Sequence, residues 1–178
     1  MNTVVSDQPS ISINIAILTV SDSRTEENDR SGDILVERLM NAGHQLEERA
    51  IIKDDTLQIT SKFSAWIANP NIDVIISTGG TGVTGRDVTP EALMQVCEKE
   101  IPGFGELFRW ISFQKIKTSA IQSRAVAGVA RGTYIFCIPG STGACKDAWD
   151  EILVHQLDNR FKPCNFVELM PRLREHEL

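Results

Sequence analysis

Residues 73–90, Asp-Val-Ile-Ile-Ser-Thr-Gly-Gly-Thr-Gly-Val-Thr-Gly-Arg-Asp-Val-Thr-Pro, hold the densest potential chemistry in the chain. Thr78, Gly79, Gly80, Thr81 and Gly82 form a run of small residues. The N–H groups of Gly79 to Gly82 are expected to converge on an anion. Asp87 closes the loop. A carboxylate beside bound phosphate is tolerated chiefly when a cation such as Mg²⁺ lies between them. The run therefore reads as a nucleotide-phosphate site with a metal-holding acid. Gly80 to Gly85 also spells G-x-G-x-x-G, the dinucleotide fingerprint of a nicotinamide-dependent oxidoreductase. Its context is wrong, because that fingerprint opens on the first strand and needs an acid about 20 residues on, at the end of the next strand. Here the strand is at least the third, and the later region reads as helix. A Walker A loop is excluded, since no G-K-[ST] follows the glycines.

Such a loop needs a strand before it and a helix after it. Val74 to Ser77 are apolar or small at every position and predict a strand buried on both faces. Thr89 is expected as a helix N-cap and Pro90 as the first helical residue, so that the helix dipole adds to the anion preference. The same alternation runs along the chain. Ile13 to Val20 predicts a central strand, and a helical pattern follows Ser31-Gly32 and ends at Gly43. His44 to Ile52 predicts a second strand, and a helix with Leu57, Ile59, Phe63 and Ile67 stops near Pro70. A helix from Pro90 to about Glu98 is expected after the glycine loop, and another after Pro102 with Phe104, Phe108 and Ile111 on one face. Residues 123–131 fit either helix or strand. Arg131-Gly132 reads as a hairpin turn into a strand over 133–138, and a last helix runs to about Leu157.

Strands alternating with amphipathic helices predict a three-layer α/β fold with a mainly parallel central sheet. Ligands then gather beyond the carboxyl ends of the strands. The four loops there are Ser21 to Asp29, Lys53-Asp54-Asp55, Thr78 to Asp87, and Pro139 to Gly143. All are rich in Ser, Thr, Asp and Gly, so one shared site is expected.

Residues 1–12 are expected as a flexible lead-in to a single domain over 13–178. The net charge of −6, from 18 basic and 24 acidic residues, argues against nucleic acid or an anionic membrane as a partner. No apolar stretch approaches the ~20 residues that span a bilayer. Cys97, Cys137, Cys145 and Cys164 lack C-x-x-C spacing. They are expected as reduced thiols, with Cys97 in a helix, in a cytoplasmic protein. His44, His155 and His176 show no zinc-ligand spacing.

Thr-Gly-Gly-Thr-Gly over 78–82, Arg86-Asp-Val-Thr-Pro-Glu91, Pro102-Gly-Phe-Gly-Glu106, Ser123-Arg-Ala125 and Pro139-Gly140 together resemble the MogA/MoaB molybdopterin-binding family, over roughly residues 13 to 157. The resemblance implies a molybdopterin-binding-domain fold and a role in molybdenum cofactor biosynthesis. The ligands it implies are molybdopterin, as substrate or bound ligand, and ATP with Mg²⁺. In active members the pterin phosphate attacks the α-phosphorus of ATP and pyrophosphate leaves. It further implies a homotrimer, or a hexamer of paired trimers. Carried onto this chain, Asp87 and Asp54 are the catalytic and Mg²⁺-holding acids. Ser123 is a pterin contact. Ser21, Asp22, the glycine loop, Pro139, Gly140 and Ser141 line the ligand site. One departure stands out. Adenylyltransferase members carry Pro-Gly-x-Pro, whereas this chain has Pro139-Gly-Ser-Thr142. Two expectations follow: an adenylyltransferase, or a paralogue that binds molybdopterin without turnover.

Overall fold

The structure is a computed structural model that describes residues 4–177. Residues 1–3 of the expected lead-in lie outside that range. Strand β1 (Val4–Val5) pairs antiparallel with β8 (Phe161–Lys162), away from the main sheet. The following segment runs back over the C-terminal turn, where Ile11 N–H donates to Asn159 Oδ1 (2.8 Å) and Asn159 Nδ2 donates to Pro9 O (3.0 Å).

The main sheet comprises β2 (Asn14–Val20), β3 (Gln45–Ile52), β4 (Val74–Thr78), β5 (Lys99–Glu100), β6 (Val126–Ala130) and β7 (Thr133–Ile138), in the order β3-β2-β4-β7-β6-β5. The pairs β3–β2, β2–β4 and β4–β7 are parallel, and β7–β6 and β6–β5 are antiparallel. The mainly parallel α/β sheet is thus present, with an antiparallel extension at one edge.

Period-two alternation builds the three layers. Ile15 and Ile17 of β2, Val74 and Ile76 of β4 and Tyr134, Phe136 and Ile138 of β7 face α1 (Arg30–Asn41), α4 (Pro102–Ile116) and α5 (Thr142–Ala148). Ala16, Leu18, Ile75, Ile135 and Cys137 face α2 (Thr56–Ile67) and α3 (Thr89–Val96). Both layers bury their apolar residues almost completely, so neither face of β4 or β7 sees solvent. Beyond α5 a π-helical turn (Trp149–Leu153) leads into α6 (Val154–Gln156), and α7 spans Phe166–Leu169. Among the described residues no helix is long and apolar enough to cross a membrane.

Several local expectations need correction. Helix α1 begins before Ser31-Gly32, because Asp29 accepts from Gly32 N–H (3.0 Å) and caps it. Thr89 lies inside α3 rather than capping it, and its hydroxyl instead donates to Gly79 O (2.9 Å). That helix ends at Val96, which leaves Cys97 extended beside β5. The ambiguous segment after Ser123 is the strand β6, because β7 offers it an antiparallel partner that no local pattern can reveal. Arg131 and Gly132 both have positive φ (47° and 85°), which makes the expected hairpin a two-residue type I′ turn.

Candidate functional site

The carboxyl ends of β2, β4 and β7 open on a cleft of about 360 Å³. Its walls come from Ser21 and Arg24, Asp54, Thr78 to Gly82 with Asp87, and Pro139-Gly140. All four loops expected at the sheet edge therefore meet. They do so where β2 has β3 on one side and β4 on the other, the place at which the chain reverses its winding direction.

The glycine loop is held by contacts that only glycine permits. Gly79 and Gly80 adopt φ of 105° and 65°. A Cβ on Gly79 would collide with Val20 O, and one on Gly80 with Thr89 Oγ1, 3.0 Å from Asp54 Oδ1. Of the four N–H groups expected to cradle an anion, that of Gly79 donates to Ile138 O (3.0 Å) and that of Gly82 faces Asp87. Those of Gly80 and Thr81 have no partner among the described residues. The Thr81 hydroxyl is buried and also lacks one. Unsatisfied polar groups gathered on one cleft wall are what a polar ligand would satisfy.

The two acids expected to hold a cation differ. Burial pushes the Asp87 carboxyl up, but hydrogen bonds from Thr84 and Gly82 outweigh this and hold it below the ordinary range. Thr84 N–H lies 2.8 Å from Asp87 Oδ2. Asp54 is raised, first by burial and then by repulsion from Asp22. The Asp22 N–H faces the Asp54 carboxyl and offsets part of the rise, and no side chain among the described residues donates to it. No cluster of three or more metal-ligating side chains occurs among the described residues. The pair nonetheless suits Mg²⁺, which commonly takes one or two protein carboxylates and completes its shell with phosphate and water.

The arginines divide sharply. Arg86 forms a forked ion pair with Asp22 (Nε 3.0 Å, Nη2 2.8 Å to Oδ2), which ties the Ser21 loop to the glycine loop and lowers the Asp22 pKa. Asp22 lies outside the cleft wall, in a neighbouring depression with Lys53 and Gln58. Arg49 pairs with Asp29 and Asp33. Arg24 lines the cleft with no carboxylate partner among the described residues. Its Nη1 holds only Asn28 O (3.2 Å).

Ser123 and Ser141 line a second cavity of about 220 Å³ that shares Thr81, Gly82 and Pro139 with the cleft. The Ser141 side chain caps α5, accepting from Ala144 N–H (3.2 Å). Pro139 and Gly140 are fixed from both sides, with the Thr78 hydroxyl donating to Pro139 O (3.1 Å) and the Ser31 hydroxyl to Gly140 O (2.8 Å). Three residues escaped the sequence reading: Asp29, Arg24 and Arg124. Asp29 was detectable as an N-cap two residues before Ser31-Gly32. Arg24 stands in a polar loop with nothing in its type to single it out, and Arg124 acts on carbonyls of the glycine loop that are distant in sequence.

A polar, glycine-walled cleft at the carboxyl edge of a doubly wound sheet defines an α/β domain with room for a polar ligand. The family described as a probable molybdopterin binding domain matches residues 16–159, and the chain belongs to it. Molybdenum cofactor biosynthesis protein B of Escherichia coli (strain K12) is 52% identical over 152 residues, covering 85% of this chain and 89% of that protein. A crystal structure of a molybdenum cofactor biosynthesis protein B superposes with a TM-score of 0.85 at 38% identity, over 94% of this chain and 99% of the other. The tungsten cofactor synthesizing protein MoaB from Pyrococcus furiosus gives 0.72 at 32% identity, over 80% and 91% of the two chains.

Proposed function

We propose that this chain acts in molybdenum cofactor biosynthesis, binding molybdopterin and Mg-ATP across the two joined cavities. Family membership supports the pterin ligand. The observation that carries the nucleotide reading is the Asp54 carboxylate, which takes no side-chain donor among the described residues and lies beside Gly80, whose N–H, like that of Thr81, is free. Asp54 and Asp87 would hold Mg²⁺, whose charge neutralises phosphate oxygens when bound. Gly80, Thr81 and Arg24 would hold the phosphates, and Ser123 and Ser141 would face the pterin side.

Adenylyl transfer to the pterin phosphate rests on alignment, because such transfers draw on positioning and charge rather than covalent help from the protein. One observation favours binding with slow or absent transfer. Thr142, where adenylyltransferases have proline, is the first residue of α5. Proline is well tolerated at that position, since its missing N–H would be unpaired there anyway. Thr142→Pro should therefore fold normally and isolate the effect of the ring on alignment. Purified protein with Mg-ATP and molybdopterin, assayed for adenylylated product, is expected to bind the pterin and turn over slowly, and Thr142→Pro to turn over faster. Rapid turnover by the unaltered chain would restore the plain adenylyltransferase reading, and absence of pterin binding would overturn both.

A homo-oligomer, trimer or hexamer, belongs to the same proposal. Phe104, Phe108 and Ile111 of α4 are buried, while Trp110, Phe113, Ile116 and Ile121 are exposed beside one another in sequence, more apolar surface than a monomer usually leaves uncovered. A monomeric mass in light scattering at micromolar concentration would contradict it.

A further inference from the structure

Arg124 closes the glycine loop from behind. Its backbone N–H donates to Thr81 O (2.9 Å), its Nε to Gly82 O (2.6 Å) and its Nη2 to Asp87 O (2.7 Å). Nη1 pairs with Glu91, in the first turn of α3. A single planar group thus grips both ends of the segment from Gly82 to Asp87 and anchors it to a helix. The trans peptide plane carries the consequence forward: fixing a carbonyl on one side fixes the next N–H on the other. With Thr81 O held toward Arg124, Gly82 N–H is directed away from it, toward Asp87. With the Gly82 and Asp87 carbonyls pinned, the turn between them keeps Thr84 N–H on the same carboxylate. Lysine offers one point charge and cannot reach three directions in a plane.

We propose that Arg124 is a positioning residue for Asp87: it touches no ligand, and it sets where that carboxylate stands by clamping the loop that carries it. The proposal rests on the Mg-nucleotide reading of the cleft, and its test separates the two. Arg124→Lys and Arg124→Gln are to be compared with the unaltered chain by amide hydrogen exchange and by titration with ATP in the presence and absence of Mg²⁺. Thr84 N–H is expected to exchange about tenfold faster in both variants, while the amides of Ile75 to Ser77 in β4 keep their rates. The Mg²⁺-dependent gain in ATP affinity should fall about tenfold in both, with lysine giving no rescue. In an Asp87→Asn background, Arg124→Gln should change ATP affinity by less than about twofold, because the two residues act as one unit.

Unchanged exchange at Thr84, exchange raised equally throughout the sheet, or full multiplication of the two losses would overturn the proposal. So would unfolding of both variants, which would make Arg124 an element of stability alone. If the unaltered chain gains no ATP affinity from Mg²⁺, the nucleotide reading fails, and the exchange rates alone then decide whether Arg124 positions the loop.

Discussion

Two helices start at the cleft behind the same kind of acidic turn and use it in opposite ways. At α1, Asp29 is fully buried and saturated: it caps the helix, accepts the Thr19 hydroxyl (2.7 Å) and pairs with Arg49 (2.9 Å). Burial alone would raise its pKa, but these partners bring it below the ordinary carboxylate range. At α2, Asp55 takes the cap, accepting from Gln58 N–H (2.9 Å). Its neighbour Asp54 lines the cleft with only the Asp22 N–H facing its carboxyl, and its pKa rises. The fold has saturated one acid and left the other with a single backbone donor. A saturated buried carboxylate belongs to the scaffold, and one with room for further donors is available to a ligand.

The sharpest way to break this contrast is Asp29→Ala. It removes a cap and leaves Arg49 and Thr19 without their buried partner, a loss of about 3 kcal/mol. At about 2–4 °C per kcal/mol for a chain of this size, the melting midpoint should drop by about 6–12 °C. A calorimetric scan showing less than a degree of change would remove Asp29 from the scaffold. Gly80→Val comes next. A β-branched residue at φ 65° that meets Thr89 Oγ1 should lose about 2 kcal/mol and abolish anion binding together, visible in urea unfolding and phosphate titration.

Asp54→Asn should do the reverse of Asp29→Ala. Removing a desolvated, repelled charge is expected to leave the midpoint unchanged or raise it by about 1–2 °C, while the Mg²⁺ effect on ATP binding disappears. Destabilisation by several degrees would show that Asp54 is structural after all.

The smallest effect is a separation in pH. Asp54 has a raised pKa, so Mg²⁺ binding should weaken as pH falls toward a window above 3.8. The stability from Asp29 has the opposite sign of shift. It is fully present above 3.8 and is lost only as pH falls through its lowered folded-state value. Acidification should thus remove the Mg²⁺ effect before Asp29 begins to give up its contribution. Simultaneous loss, followed by titration and circular dichroism, would erase the distinction.

How much of this was legible in the sequence follows the same division. Local patterns sufficed wherever the cause was local. Unbroken apolar runs marked β2, β4 and β7, Arg131-Gly132 marked the hairpin, and the four polar loops marked the cleft. What could not be read depended on distant partners. Thr89 looked like a cap because its type suits one, yet its hydroxyl is taken by Gly79 O. Arg86 closes the glycine loop beside Asp87, yet its partner Asp22 is 64 residues away in sequence. Arg124 stood in a recognisable motif, but its role lies in carbonyls of the glycine loop that no spacing rule connects to it.

On the proposed reading, Asp54 holds a cation beneath nucleotide phosphates. Calorimetric titration of ATP into the unaltered chain and into Asp54→Asn, each with and without Mg²⁺, tests it most directly. The expected result is ATP affinity at least about tenfold higher with Mg²⁺, a difference of about 1.4 kcal/mol that vanishes in the variant. Equal affinity with and without Mg²⁺, or a Mg²⁺ effect that survives Asp54→Asn, would contradict it.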